Sequence, residues 1–221
     1  MKVEELFDGV YKIDGRLATK NLVPGTKVYG EDFVEINGDE YRLWNPYRSK
    51  LSAAILKGLK EMHIKRGNTV LYLGAATGTT CSHVSDIVGS EGTVYCVEIS
   101  ERSMRDLLRV CDKRANMLPI LGDAAKPESY KDEIGAVDII YQDVSSRLQA
   151  EILLRNAALL KKNGYAYVAI KSQSIDSSAK PKQVYDIFLK AVSSKFSLSE
   201  AIDISPYSML HLFAVMKKLK A

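Results

Sequence analysis

The chain has 221 residues, 46% hydrophobic and 26% charged, with a net charge of +4. That length fits one domain, or one domain with a small appendage, and that balance buries a core while keeping the chain in solution. A large multidomain machine and a disordered chain are both excluded. There is no run of about 18 uncharged apolar residues. The opening MKVEELFDGV has neither an apolar stretch nor a cleavage site, so no membrane association and a cytoplasmic location are expected. Cys81, Cys96 and Cys111 are odd in number and form no C-x-x-C, and His63, His83 and His211 share no H-x-x-x-H spacing. Neither a disulfide framework nor a metal site is expected, and the cysteines read as small buried hydrophobes. Residues 1–155 are close to neutral, whereas 156–221 carry ten basic residues against four acidic ones. Such a stretch can present a positive face to a polyanion or simply be solvated surface.

Up to about Trp44, short β-like runs alternate with turn signals, GVYKIDG and then TKVYGEDFVEINGDEYRLW. Asn37-Gly38 between FVEI and EYRLW is a hairpin signal, because both central residues of a type I′ turn need positive φ. Residues 1–48 are expected to form a small antiparallel β subdomain, followed by a Rossmann-like domain over 49–221. There Leu51, Ala54, Ile55, Leu59 and Met62 recur at helical spacing behind Ser49, which predicts an amphipathic helix over 49–62. Strands at TVLYLGA, TVYCVEI, MLPILGDA, VDIIYQDV and YAYVAIKS then alternate with helices around 80–88, 101–115, 147–160 and 181–194. That alternation implies an α/β fold with a mostly parallel sheet covered on both faces. SLSEAIDIS and HLFAVMKKL, with no helix between them, imply a C-terminal antiparallel hairpin.

In such a sheet, ligands bind beyond the carboxyl ends of the strands, where strand order reverses. The first strand of the second region ends in Gly74-Ala75-Ala76-Thr77-Gly78-Thr79-Thr80, where glycine lets backbone approach a ligand and the next helix offers free N–H groups. A dinucleotide fingerprint would need glycine at 76, so Ala76 argues against NAD. Glu98, 24 residues after Gly74, can accept hydrogen bonds from both hydroxyls of a ribose, and Asp123 is placed to receive the exocyclic amino group of adenine. Each feature alone is weak, since a strand-end acid is often a helix cap. Their ordered combination, without a phosphate-tuned loop, fits S-adenosylmethionine. Asp143 and Lys171 end the next two strands, Lys50 opens the first long helix, and His211 begins the last strand at a height the sequence leaves open. Taken singly, either lysine reads as surface charge and His211 as a hydrogen-bonded, partly buried histidine. A lysine and a carboxylate at neighbouring strand ends can together orient a hydroxyl, and a lysine partly withdrawn from water can take its proton.

Four stretches carry a family resemblance: YRLWNPYRSKLSAAI (41–55), LYLGAATGTTCSHVSDIVGSEGTVYCVEIS (71–100), DIIYQDV (138–144) and AIKSQSID (169–176). Over nearly its whole length the chain resembles fibrillarin in its archaeal form, without the Gly/Arg-rich tail of nucleolar members. The resemblance implies the S-adenosylmethionine-dependent methyltransferase fold and guide-RNA-directed 2′-O-methylation of ribose in pre-rRNA and tRNA. It implies a Lys-Asp-Lys-His catalytic set at Lys50, Asp143, Lys171 and His211. Cofactor contacts are implied at Gly74, Ala75, Thr79, Thr80, Glu98, Ile99, Asp123, Ala124, Asp143, Val144 and Gln149. Implied partners are a box C/D guide RNA with its substrate RNA, a Nop-type scaffold protein and a kink-turn-binding ribosomal-protein homologue. Two segments depart from the family pattern: Ser145-Ser146-Arg147-Leu148 where a segment like AQPN is usual, and Leu210 where an acid often precedes His211. On this reading Lys171 is the base or hydroxyl positioner, Asp143 its orienter, and Lys50 and His211 supply electrostatic and positioning support. Two alternatives stand beside it. One is a guide-independent RNA ribose methyltransferase, whose fourth catalytic residue would be an acid such as Glu200. The other is a catalytically idle scaffold subunit.

Overall fold

The structure, a computed structural model, describes residues 2–219. Strands β1 (Val3–Phe7), β2 (Val10–Ile13), β3 (Arg16–Lys20), β4 (Phe33–Ile36) and β5 (Asp39–Leu43) form an antiparallel sheet in the order β1-β2-β3-β5-β4. The Asn37-Gly38 hairpin is present: φ is 54° and 86° at its two central residues, and Ile36 pairs with Asp39. Asp14-Gly15 makes a second turn of the same kind between β2 and β3, with φ of 45° and 86°. Residues 26–30, expected to be β-like, are loop instead. Glu31 folds that loop back by accepting from the N–H groups of Val28 and Tyr29.

The expected helix over 49–62 is shorter, α1 (Lys50–Leu56), although Ser49 caps it as predicted by accepting from Ser52 N–H. Gly58 ends it. At φ +96° it lets its own N–H reach Ile55 O and that of Leu59 reach Ala54 O, a paired closure that stops the helix whatever the apolar spacing beyond it. Leu59 is still buried, so the periodicity recorded burial that an irregular segment supplies.

The remaining elements are β6 (Thr69–Leu73), α2 (Thr79–Val88), β7 (Thr93–Glu98), α3 (Glu101–Cys111), β8 (Met117–Leu121), β9 (Val137–Gln142), α4 (Gln149–Asn156), β10 (Leu160–Lys171), the one-turn α5 (Ser172–Ile175), α6 (Pro181–Val192), β11 (Phe196–Asp203) and β12 (His211–Lys218). They build a seven-stranded sheet ordered β11-β12-β10-β9-β6-β7-β8, parallel except for β12, which runs antiparallel to both β10 and β11. The order reverses between β6 and β9, which sets the carboxyl ends of those strands beside a crevice. Alternate residues of β6 face opposite layers. Val70 and Tyr72 join a core with α1, α2, α3 and the N-terminal residues Val10, Leu17 and Trp44, while Leu71 and Leu73 join a core with α4 and α6. Such two-sided burial explains why the central strands read as continuous apolar runs.

A charged cluster pins the N-terminal sheet to α2. Arg42 meets Glu31 at 2.6 Å and Asp86 at 2.8 Å, and Asp86 meets Arg114 at 2.6 Å, all four side chains being fully buried. Thr19 Oγ1 and Leu22 N–H also donate to Asp86. Buried charges persist only when paired this completely. Among the described residues, no helix is long and apolar enough to cross a membrane.

Candidate functional site

The carboxyl ends of β6, β7, β8, β9 and β10 surround one cavity of about 600 Å³. Gly74, Ala76, Glu98, Ile99, Asp123, Ala124, Asp143, Val144 and Lys171 are in its wall, with Lys50 at the start of α1. Gly74 is required where it stands. Its φ is +85°, and a Cβ there would meet Asp143 O at 2.9 Å, so only glycine lets β6 turn away beside β9. Ala76 also takes positive φ, 49°, and its N–H donates to Glu98 Oε2 at 2.7 Å. Glu98 Oε1 accepts from Ser100 N–H at 2.8 Å, so the carboxylate is fixed by two backbone donors. Each of its oxygens keeps a lone pair for a further donor such as a ribose hydroxyl. Asp123 accepts from Ala125 N–H at 2.9 Å. A glycine turn followed by two ordered carboxylates, with both lysines already facing a carboxylate, suits a nucleoside bearing a cationic group. These residues fit S-adenosylmethionine.

At one side of the cavity Asp143 stands between two lysines. Its Oδ2 is 2.9 Å from Lys50 Nζ and its Oδ1 2.7 Å from Lys171 Nζ. Lys171 Nζ also donates to Asp143 O at 2.9 Å and to Ser145 Oγ at 3.1 Å. The two hydrogen bonds occupy two of the three donors of the ammonium, while the Oδ1 contact is an ion pair without hydrogen-bond alignment and leaves that buried oxygen without a hydrogen-bond partner. His211, whose height was open, is directly opposite Lys171 in the antiparallel ladder, where paired residues project on the same face. Its Nδ1 lies 2.6 Å from Met209 O and 3.2 Å from Ser208 Oγ. A carbonyl accepts, so Nδ1 carries the proton and Nε2 is left with a lone pair. Burial holds the imidazole below its ordinary range, reinforced by the nearby Lys50 and Lys171 charges and opposed by the Met209 contact.

The structure therefore gathers Lys50, Asp143, Lys171 and His211 at one end of the sheet. Four residues implied as cofactor contacts are not in the cavity wall: Ala75, Thr79, Thr80 and Gln149. Thr80 Oγ1 donates to Ser49 Oγ, tying α2 to the cap of α1, and Gln149 Oε1 accepts from Lys171 N–H, bracing that strand end from behind. Ala76, Gly122, Ser145, Leu148 and Ile152 also line the cavity, and none of them was among the expected cofactor contacts. Ala76 and Gly122 lie at strand ends, where the sequence already places ligand contacts. The other three lie on the segment following β9 and on α4, and nothing in their local sequence marks them.

Glu200 pairs with Val215, four positions along β12 from His211, about 13 Å at strand rise. Its carboxylate accepts from the N–H groups of Lys60 and Glu61.

Comparison with known proteins identifies the family and the fold. The profile of the family described as Fibrillarin matches residues 1–220. The Fibrillarin-like rRNA/tRNA 2'-O-methyltransferase of Pyrococcus furiosus is 50% identical over 218 residues, 96% of each chain. The structure of Aeropyrum pernix fibrillarin in complex with natively bound S-adenosyl-L-methionine matches with a TM-score of 0.90 at 44% identity, covering 98% of each chain. A chain of a solved fibrillarin/Nop5p complex matches with a TM-score of 0.90 at 40% identity, covering 98% of this chain and 100% of that one. The fold is the Rossmann-like methyltransferase fold preceded by an antiparallel sheet.

Proposed function

The chain belongs to the fibrillarin family, and from that premise we propose that it is the catalytic subunit of a box C/D ribonucleoprotein that methylates ribose 2′-oxygens at positions chosen by a guide RNA. It is an S-adenosylmethionine-dependent rRNA/tRNA 2′-O-methyltransferase. The observation that carries this reading is the Asp143 carboxylate held between Lys50 and Lys171 at 2.9 and 2.7 Å on the wall of the cavity. S-adenosylmethionine, when bound, supplies an electrophilic methyl group. Glu98 and Asp123 hold the ribose and adenine ends of that cofactor, with Ile99 and Ala124 supplying apolar contact.

The chain's own residues then act on the RNA hydroxyl. Asp143 fixes both ammonium groups, so their donors are already oriented when the hydroxyl arrives and little reorganisation is left for the reaction. Lys171, which donates to Asp143 O and Ser145 Oγ and keeps a third donor, holds the 2′-oxygen in line with that donor, which is the positioning role. His211 keeps an unprotonated Nε2 at neutral pH and takes the hydroxyl proton; such transfer is worth about 10²–10⁴ in rate. Lys50 stabilises Asp143 and the charge developing beside it.

The fibrillarin/Nop5p complex solved for a relative supports a Nop-type scaffold as partner. Family membership supports the guide RNA and the kink-turn-binding protein. A guide-independent enzyme would need an acid where His211 stands, and the engagement of Glu200 with residues 60–61 speaks against it. The test compares Lys171→Ala with Lys171→Arg in an assembled particle. Both are expected to lose turnover at least about 10²-fold with cofactor binding intact, because arginine's fork does not reproduce a tetrahedral ammonium. Near-normal turnover of Lys171→Ala would overturn the assignment.

A further inference from the structure

A second cavity, of about 340 Å³, lies on the other side of the Gly74–Gly78 turn, between the loop that precedes β4 and helix α3. Lys27, Arg48, Arg109 and Lys113 line it, and Asp106 is the one carboxylate among its lining residues. Asp106 pairs with Arg109 at 3.1 Å, both side chains being more than half exposed, so that pair removes little of the positive field. Arg114 closes the inner wall; its Nη1 and Nη2 donate to Asp86 and Asn21, while its Nε has no hydrogen-bond partner. At the end of α3 the carbonyls of Leu108, Val110 and Cys111 are closed by the N–H groups of Asp112, Lys113 and Arg114.

We propose that this cavity holds the phosphate backbone of the RNA duplex formed by guide and substrate, beside the methylated nucleotide; the proposal rests on the RNA reading above. Three features favour a phosphate backbone over a small anion. The four cations are exposed rather than buried, as for groups that meet a solvated polyanion and release its counterions. They come from two parts of the chain, Lys27 and Arg48 from the N-terminal region and Arg109 and Lys113 from the last turn of α3 and just beyond it, so cations are supplied from both sides of the cavity. The cavity is also close along the chain to the reaction site, although the two share no lining residue. Thr77 is in its wall, one residue from Ala76 in the cofactor cavity, and Arg48 is two residues from Lys50, at most about 7 Å of chain.

The deciding variant is Lys27→Ala/Arg109→Ala/Lys113→Ala, three exposed changes outside the catalytic cluster and the cofactor cavity. Binding of guide–substrate duplex is measured by fluorescence anisotropy from 50 to 400 mM salt, with methyl transfer in the assembled particle alongside. Each lost phosphate contact flattens the slope of log affinity against log salt by about 0.7–0.9, so the triple variant is expected to flatten it by about 2 to 3. Its KM for RNA rises about tenfold or more near 0.1 M salt, with kcat within twofold and cofactor binding unchanged. If the triple variant folds poorly, Lys113→Ala alone decides, with an expected flattening of about 1. An unchanged slope and KM overturn the proposal while wild-type transfer keeps the methyltransferase reading. Loss of scaffold association without RNA also overturns it, by assigning the cavity to a protein contact. No transfer by the wild type refutes the methyltransferase reading itself, and the anisotropy slopes still decide this one.

Discussion

Replacing Asp143 by Asn keeps the side chain's shape and removes the charge that Lys50 and Lys171 share. Asp143 and Lys171 retain 13% and 12% side-chain exposure and Lys50 retains 23%, so this is a largely desolvated cluster with one solvated edge. Removing one partner of a buried pair costs about 3–5 kcal/mol, because the other charge is left uncompensated, whereas exposed pairs contribute under about 1 kcal/mol. The intermediate exposure places Asp143→Asn at about 2–3 kcal/mol. In a chain of this size each kcal/mol lowers Tm by about 2–4 °C, so a fall of about 5–10 °C is expected by calorimetry. Function suffers more than stability, because an amide cannot hold two ammonium groups in register and a displacement of about 1 Å at a reacting group costs about 10² in rate. Single-turnover methyl transfer in the assembled particle is expected to slow by about 10²–10³, with cofactor affinity falling far less. Turnover within threefold of wild type, together with an unshifted Tm, would refute the argument that Asp143 organises both lysines.

Two further outcomes follow from the same structure. Burial and the neighbouring lysines keep His211 below its ordinary value of 6.5, so its neutral form predominates at pH 7. The rate of transfer is expected to be flat near neutrality and to fall as pH drops through a value below 6.5; His211→Asn should lower the rate and abolish that acid limb. An identical limb in the variant would remove His211 from proton transfer. Asp86→Ala strands Arg42 and Arg114 in a buried site, and is expected to cost about 3–5 kcal/mol by denaturant unfolding. A loss under 1 kcal/mol would show that the N-terminal sheet does not depend on this cluster.

Strand signals were legible because β6, β7, β9 and β10 are buried on both faces and their apolar runs say so. The Asn37-Gly38 turn was legible because its backbone conformation demands those residue types. Helix ends were less so: α1, closed by Gly58, ends at Leu56, six residues before the apolar spacing stops at Met62, and the predicted helix over 147–160 ends at Asn156, with β10 already beginning at Leu160. Positions at strand ends announced Gly74, Glu98, Asp123, Asp143 and Lys171. What local sequence could not hold was long-range register. The Lys171–His211 pairing is decided by the β10–β12 ladder, and the meeting of Arg42, Asp86 and Arg114 by how two sheets pack. The roles of Gln149 and Thr80 behind the cavity wall are tertiary in the same sense.

The central claim is that this chain methylates a ribose 2′-oxygen selected by a guide. Transfer of radiolabelled methyl from S-adenosylmethionine to RNA, with the chain alone and with scaffold, kink-turn-binding protein and guide added, followed by ribose mapping, tests it most directly. The account predicts label at one 2′-oxygen, only in the assembled mixture, moving when the guide is changed. Label deposited by the chain alone at a position indifferent to the guide, or no label despite assembly and bound cofactor, would contradict it.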